Sequence, residues 1–436
     1  MKFSLMLMGA ASLVMATSAS AQTLTIATVN NGDMIRMQAL SPAFTTETGI
    51  SLNWVVLEEN TLRQNVTTDI ATNGGQYDVM TIGTYEAPIW AKQGWLSPLD
   101  ALSADASYDV DDILPAIRSG LSQDGKLYAA PFYGESSFIM YRTDLMEKAG
   151  LTMPEAPTWE FIGQAARAMT DRANDINGIC LRGKAGWGEN MAFLTAMSNS
   201  FGARWFDENW TPQFNTPEWK NTLDTYLSLM ADAGPSGASS NGFNENLTLF
   251  QQGKCGMWID ATVAASFVTN AQDSTVADKV GFALAPDTGL GKRGNWLWAW
   301  SLAVPNSSQQ KAAAEKFIGW ATDKAYLETV AASEGWANVP PGTRTSLYEN
   351  AEYQAAAPFA KMTLDSINSA DPAKPTVQAV PYVGVQFVAI PEFAGIGTNV
   401  GQLFSAALAG QMSSADALAQ AQDATTRDMT RAGYIK

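Results

Sequence analysis

The 436-residue chain contains no histidine. That absence removes Ser-His-Asp and Cys-His nucleophilic catalysis and every imidazole metal site in one step. Cysteine is nearly absent too: Cys180 and Cys255 are the only two. They form either one disulfide, which an oxidising compartment allows, or a pair of buried free thiols. Basic residues are scarce, 27 against 43 acidic, for a net charge of −16. So acidic a surface repels nucleic acid and anionic lipid and gives no reason to expect an anionic substrate, so neutral ligands fit best. No D-x-D-x-D-G loop accompanies the acids, and neither a metal nor a cofactor is expected. Beyond the N-terminus the longest apolar runs, such as Trp296 to Val304, fall far short of the roughly 20 residues a membrane span needs.

What is present begins with an export signal. Lys2, an apolar run from Leu5 to Ala16, and Ala19-Ser20-Ala21 ahead of Gln22 have the three-part pattern of a secretory signal peptide, residues 1-21. No cysteine follows the cleavage site, so no lipid anchor is expected and the mature protein is expected in the periplasm. Its length suggests two or three domains with sizeable cores.

Residues Gly294 to Trp300 read GNWLWAW, with Trp296, Trp298 and Trp300 on one parity and Asn295, Leu297 and Ala299 on the other. That is the period of a strand with two different faces. Its three indoles either fill a core or line a cleft, where a flat ring meets the C–H side of a sugar or polyol.

Thr23 to Val29, Leu52 to Leu57 and Tyr77 to Ile82 read as strands. Between them lie a helix ending near Phe44 and one capped by Asn60 or Thr61, with Leu62, Val66 and Ile70 on one face. This alternation signals a parallel α/β sheet. Ligands bind beyond the carboxyl ends of such strands, where the chain places Asn30, Asn31 and Asp33, then Glu58 and Glu59, then Tyr85 and Glu86. Glu58-Glu59 is either a solvated pair or a ligand contact. A second α/β pattern follows Pro131: Thr158 caps a helix, and Gly178 to Leu181 and Cys255 to Ile259 look like short strands. The loops after them carry Trp187, Glu189, Asn190 and Asp260, with Trp258 taken to point the other way.

The segments YDVMTIGTYEAPIWAKQGWLSPLD (Tyr77 to Asp100), YAAPFYGESSFIMYRTDL (Tyr128 to Leu145), FQQGKCGMWIDATVAA (Phe250 to Ala265) and GWANVPPGTRTS (Gly335 to Ser346) carry a resemblance over essentially the whole mature length. The chain resembles the extracellular solute-binding proteins of bacterial ABC importers, the group of maltose- and polyol-binding proteins. GESSF and VPPGTR look like its mannitol and sorbitol subgroup. The resemblance implies a periplasmic-binding-protein type II fold, two α/β lobes with a ligand cleft between them, crossed near Tyr133 to Glu135, Pro286 to Trp296 and Thr322 to Tyr326. The N-terminal lobe would hold residues 22-133 plus about 296-322, and the C-terminal lobe about 134-295 plus 323-436. It implies hinge closure on a linear polyol (mannitol, sorbitol or arabinitol), delivery to ABC permease transmembrane subunits, action as a monomer and no enzymatic activity.

By position in that family pattern Glu135 is the acidic hinge residue, Glu58 or Glu59, Tyr85 and Glu86 are first-lobe contacts, and Trp187, Asn190 and Asp260 face the cleft from the second lobe. Trp336 falls at a stacking position. Arg344 is either a ligand contact or a surface arginine paired with one of the acids. Trp296, with Asn295 and Trp298 behind it, is expected at the cleft, and Trp300 in the core. The alternatives are a mono- or oligosaccharide-binding protein, a chemoreceptor ligand carrier and a secreted glycoside hydrolase. The last would need two carboxyls roughly 5 to 10 Å apart, for which Glu58, Glu59, Glu86, Glu135 and Asp260 are candidates; two long-range α/β halves speak against an eight-unit barrel.

Overall fold

The chain is described by a computed structural model covering residues 22–436; the expected signal peptide lies outside the described residues. Eleven strands follow one another as β1 (Thr23–Val29), β2 (Ser51–Leu57), β3 (Val79–Gly83), β4 (Leu96–Ser97), β5 (Ser122–Gln123), β6 (Lys126–Leu127), β7 (Ala129–Glu135), β8 (Ser137–Arg142), β9 (Met257–Ala261), β10 (Val280–Leu284) and β11 (Trp298–Pro305). The first sheet has the order β2-β1-β3-β11-β4, with β7 also paired to β11. β1 pairs parallel with β2 and β3, while β11 runs antiparallel to β3, β4 and β7. The second sheet is antiparallel, in the order β10-β8-β9. The chain therefore leaves the first sheet at Glu135, enters the second at Ser137, and returns between Leu284 and Trp298.

Local chemistry accounts for the element boundaries near the cleft. Asn31 caps the helix Gly32–Leu40 by accepting from Met34 N at 3.0 Å. Glu58, and not Asn60 or Thr61 as expected, caps Glu59–Ala71: its Oε2 accepts from Thr61 N at 3.2 Å. A carboxylate does this well because the helix N-terminus carries free N–H groups and partial positive charge. Thr158 caps Trp159–Met169 as expected.

Backbone approach fixes the crossing region. A Cβ on Gly83 would lie 2.0 Å from the Trp298 ring, and one on Gly134 would lie 2.3 Å from the Gly342 carbonyl. Gly342 itself sits at φ +71°, a conformation glycine adopts without the clash that a Cβ brings. Gly134 N donates to Pro341 O at 2.9 Å, so the Pro340-Pro341-Gly342 turn braces the strand that ends at Glu135. The chain from Thr322 to Arg344 touches residues of the 22–133 segment: Tyr108 bonds Thr322 at 3.0 Å, Lys324 pairs with Asp109 at 2.7 Å, and Arg344 bridges to Ile113.

In the second lobe Cys180 and Cys255 form a disulfide with Cα atoms 5.9 Å apart. Gly178 to Leu181 does not form a strand of its own; single bridges tie Asn177 to Cys255 and Cys180 to Trp258, alongside β9. No helix among the described residues is long and apolar enough to cross a membrane.

Candidate functional site

The cavity lies where the carboxyl ends of β1 and β2 and the end of β7 meet the second lobe. Its volume is about 70 Å³, against roughly 10–15 Å³ needed per water, a size for a few-carbon ligand. β11 is antiparallel to its neighbours, so its first residues stand level with the last of β3 and of β7: Trp300 pairs with Gly83 and Trp298 with Glu135. For that reason all three indoles, Trp296, Trp298 and Trp300, line the cavity. Trp300 belongs to the buried core, as expected, and also forms part of the wall.

Two buried arginines organise the polar groups. Arg63, one turn into the helix capped by Glu58, donates from Nε and Nη2 to Glu59 Oε1 at 3.0 and 2.9 Å and from Nη1 to Glu86 Oε1 at 2.8 Å. Its guanidinium stacks 4.0 Å from the Trp187 ring, 4.6 Å from Trp300 and 5.0 Å from Trp298. Arg182 clasps Asp260 from Nε at 2.9 Å and Nη2 at 2.7 Å, and its Nη1 donates to Gly188 O at 3.0 Å. Burial would lower the Arg182 pKa, but the charge and hydrogen bonds of Asp260 outweigh it and raise it.

Glu135 ends β7 in the cavity wall and accepts from Trp296 Nε1 at 3.3 Å. Burial pushes its pKa up to about 8; Arg182 opposes the rise, and the negative charges of Asp260 and Glu59 add to it. Tyr133, also in the wall, accepts from Asn31 Nδ2 at 3.0 Å. Across the mouth, Lys184 of the second lobe meets Glu58 Oε1 at 2.6 Å. Asn60 reaches Ala185 O at 3.1 Å and Asn244 reaches Asn30 O at 3.0 Å. The lobes are closed on each other.

The wall thus brings together Asn31, Glu58, Glu59, Glu135, Trp187, Trp296 and Trp298 of the expected set. Eight others stand elsewhere. Asp33 is paired with Arg36 at 2.8 Å on its own helix, and burial raises its pKa to about 6. Tyr85 packs its ring 4.7 Å from Trp187 and donates from its OH to Ile390 O at 3.0 Å. Glu86 is buried behind Arg63 and accepts from Gly83 N at 3.0 Å. Asn190 is consumed by Gly401 O at 2.8 Å and Gly186 N at 3.2 Å. Asp260 is fully buried behind Arg182 and also accepts from Trp258 Nε1 at 3.0 Å. Trp258 therefore shares its side of β9, as a two-residue period requires, and does not point away. Asn295 bonds Ser366 O at 3.0 Å. Trp336 sits half-buried in a short 3-10 turn. Arg344 is neither surface nor wall: 1% exposed, it donates to Thr322 O at 3.0 Å and Asp109 O at 3.1 Å.

Arg63, Arg182, Lys184, Tyr133 and Glu189 line the cavity without having been chosen from sequence. Glu59 and Arg63 at i and i+4 carried a usable signal; the short-range partners of Arg182 and Lys184, Asp260 and Glu58, are distant in the chain and carried none.

The chain matches the bacterial extracellular solute-binding protein family over residues 31–328. It is 59% identical over 417 residues, 95% of each chain, to a mannitol-binding protein of Pseudomonas aeruginosa. It is 73% identical, with a TM-score of 0.95 over 95% of this chain and 100% of the other, to a crystal structure of an ABC transporter solute-binding protein from Agrobacterium vitis S4 with bound D-mannitol. A ribitol complex of such a protein from Agrobacterium radiobacter K84 is 26% identical, with a TM-score of 0.82 over 93% and 98% of the two chains. The fold is the type II periplasmic-binding-protein fold in two α/β lobes, and the chain belongs to the bacterial extracellular solute-binding protein family.

Proposed function

We propose that this protein is the substrate-binding component of an ABC importer, that it binds D-mannitol or a closely related linear polyol without changing it chemically, and that it hands the ligand to membrane permease subunits. The observation that carries the reading is the 73% identical relative with bound D-mannitol, joined to a small cavity whose walls pair indoles with carboxylates and guanidiniums. A polyol presents hydroxyls that both donate and accept on a chain whose C–H side is apolar. Glu59 and Glu135 accept, Arg63 and Arg182 hold the donors and acceptors in place, and Trp296, Trp298 and Trp300 cover the C–H side. Asn31, Glu58 and Trp187 complete the wall, while Asp33, Tyr85, Glu86, Asn190, Asp260, Asn295, Trp336 and Arg344 support it from behind or stand apart.

The ligand touches both lobes and so stabilises the closed arrangement by its differential affinity. The protein works as a monomer in the periplasm, exported by residues 1-21. Calorimetry against mannitol, sorbitol, arabinitol, hexoses and maltose tests the reading. Mannitol binding in the micromolar range or tighter is expected. No heat with any polyol, together with binding of a disaccharide, overturns it; release of reducing sugar from a glycoside would overturn the claim that no chemistry occurs.

A further inference from the structure

The cavity wall carries Glu58, Glu59, Glu135, Glu189 and Glu245 against Arg63, Arg182 and Lys184. A neutral polyol has no use for such an excess of acid. The cations are already committed. Arg182 spends its donors on Asp260 and Gly188, Arg63 on Glu59 and Glu86, and Lys184 on Glu58.

Two carboxyls are left short of donors. Glu189, 3% exposed, has an Oε2 with no hydrogen-bond partner, and its nearest cations stand at 3.6 Å (Arg182) and 3.7 Å (Lys184). Glu135 receives its hydrogen bond from one indole, at 3.3 Å. A hydroxyl offers each a single donor and no charge, whereas a primary ammonium offers three donors and the missing positive charge.

We propose that the cavity takes a second ligand class, cationic amino-alditols, polyol chains with a terminal primary ammonium that the unpartnered carboxyl oxygen of Glu189 receives. The inference rests on the polyol reading above. A terminal amine replaces one hydroxyl of the alditol without lengthening the chain, so the fit along the indoles is retained.

The charged surroundings give the proposal a pH signature. Burial raises Glu135 and Glu189 to about 8 each. Glu135 faces Arg182, Asp260, Glu59 and Tyr133; Glu189 faces Glu59, Arg182, Lys184 and Glu58. Near neutral pH the empty site therefore holds protons that an ammonium displaces, and affinity for the cation climbs as pH approaches 8, while the ligand amine stays charged.

The test compares 1-amino-1-deoxy-D-mannitol, D-mannitol and D-mannonate by calorimetry with the full mature protein. The expected result is amine binding whose affinity relative to mannitol grows about tenfold or more from about pH 6.5 to about pH 8.5. Proton release on amine binding, read in buffers of different ionisation enthalpy, should exceed that for mannitol, and mannonate should not bind. Glu189→Gln and Glu135→Gln should each flatten the slope; the proton count on the unmodified protein stands should either variant fail to fold. Mannitol binding with no amine binding, or a pH-independent ratio, overturns the inference and leaves the polyol reading intact. Absence of mannitol binding would overturn the polyol reading itself.

Discussion

Lys184 Nζ lies 2.6 Å from Glu58 Oε1, joining the second lobe to the first across the mouth of the cavity. Glu58 also caps the helix that carries Glu59 and Arg63, so the ion pair fastens the second lobe to the element holding two wall residues. Burial alone would raise the Glu58 pKa, but Lys184's hydrogen bond and charge lower it. The pair is partly exposed, which limits its value to about 0.2–1 kcal/mol. Lys184→Met should therefore weaken ligand binding by roughly two- to fivefold at low salt, chiefly through a faster off-rate. The difference should shrink in high salt, which screens exposed charges. Stopped-flow release at two ionic strengths checks it; a salt-independent loss would assign Lys184 a ligand contact instead of a latch.

Arg63 is held by two carboxylates and three indole faces at once. Lysine retains the charge but cannot give the forked donation, and it stacks less well on aromatic faces. Arg63→Lys should lower the Tm, since weakening a desolvated cation–π contact costs up to about 2 kcal/mol of stability, and should weaken ligand binding by loosening Glu59 and the indole wall. Calorimetry and a thermal melt read the two effects together. Unchanged affinity would remove Arg63 from the wall's working set.

How far the sequence disclosed this site follows from the range of the interactions. The three parallel strands and the polar ends after them were legible because strand alternation and helix caps are local. The family motifs located Glu135 at the end of a crossing strand. Arg344 misled because a buried arginine that satisfies carbonyls at Asp109 and Thr322 looks, in sequence, like one waiting for a ligand. Trp300 lies in the core as its parity suggests, but its second face on the cavity depends on the register of β11 against β3, a pairing across more than two hundred residues. Asp260 is expected from its loop position to face the cleft, but its carboxylate is fully buried behind Arg182, which lines the space in its place.

The Cys180–Cys255 disulfide closes a loop with a sequence separation of 75, a length for which chain entropy gives roughly 4 kcal/mol. It ties the segment leading to Arg182 onto the strand that carries Asp260. Reduction, or replacement of both cysteines by alanine, should lower the Tm and weaken ligand binding less than it weakens stability. Melts with and without reductant, with and without mannitol, check this. An unchanged Tm would mean that β9 packing alone holds the arginine.

Glu135 and Glu189, both raised to about 8 by burial, set the pH response of the empty protein. A carboxyl whose folded pKa lies above its unfolded value of about 4.3 binds more protons folded than unfolded across that interval, so its contribution to stability is present at the acid end and is lost as pH rises to about 8. Asp33, raised to about 6, acts in the same sense over a narrower window. Against them, Asp112 and Asp144 are lowered. For Asp112, hydrogen bonds from Ser346 and the charge of Lys324 outweigh burial; for Asp144 the main cause is the hydrogen bond from Arg142. Those two lose their stabilising effect only as pH falls through the acid range. The ligand-free Tm should accordingly be highest in mildly acidic buffer and decline from about pH 5 to about pH 8, then level off. Glu135→Gln should remove part of that decline, because the amide is neutral throughout. A Tm that rises steadily over the same interval would mean that these carboxyls are already ionised in the folded protein, their charge met by Arg182 and Lys184.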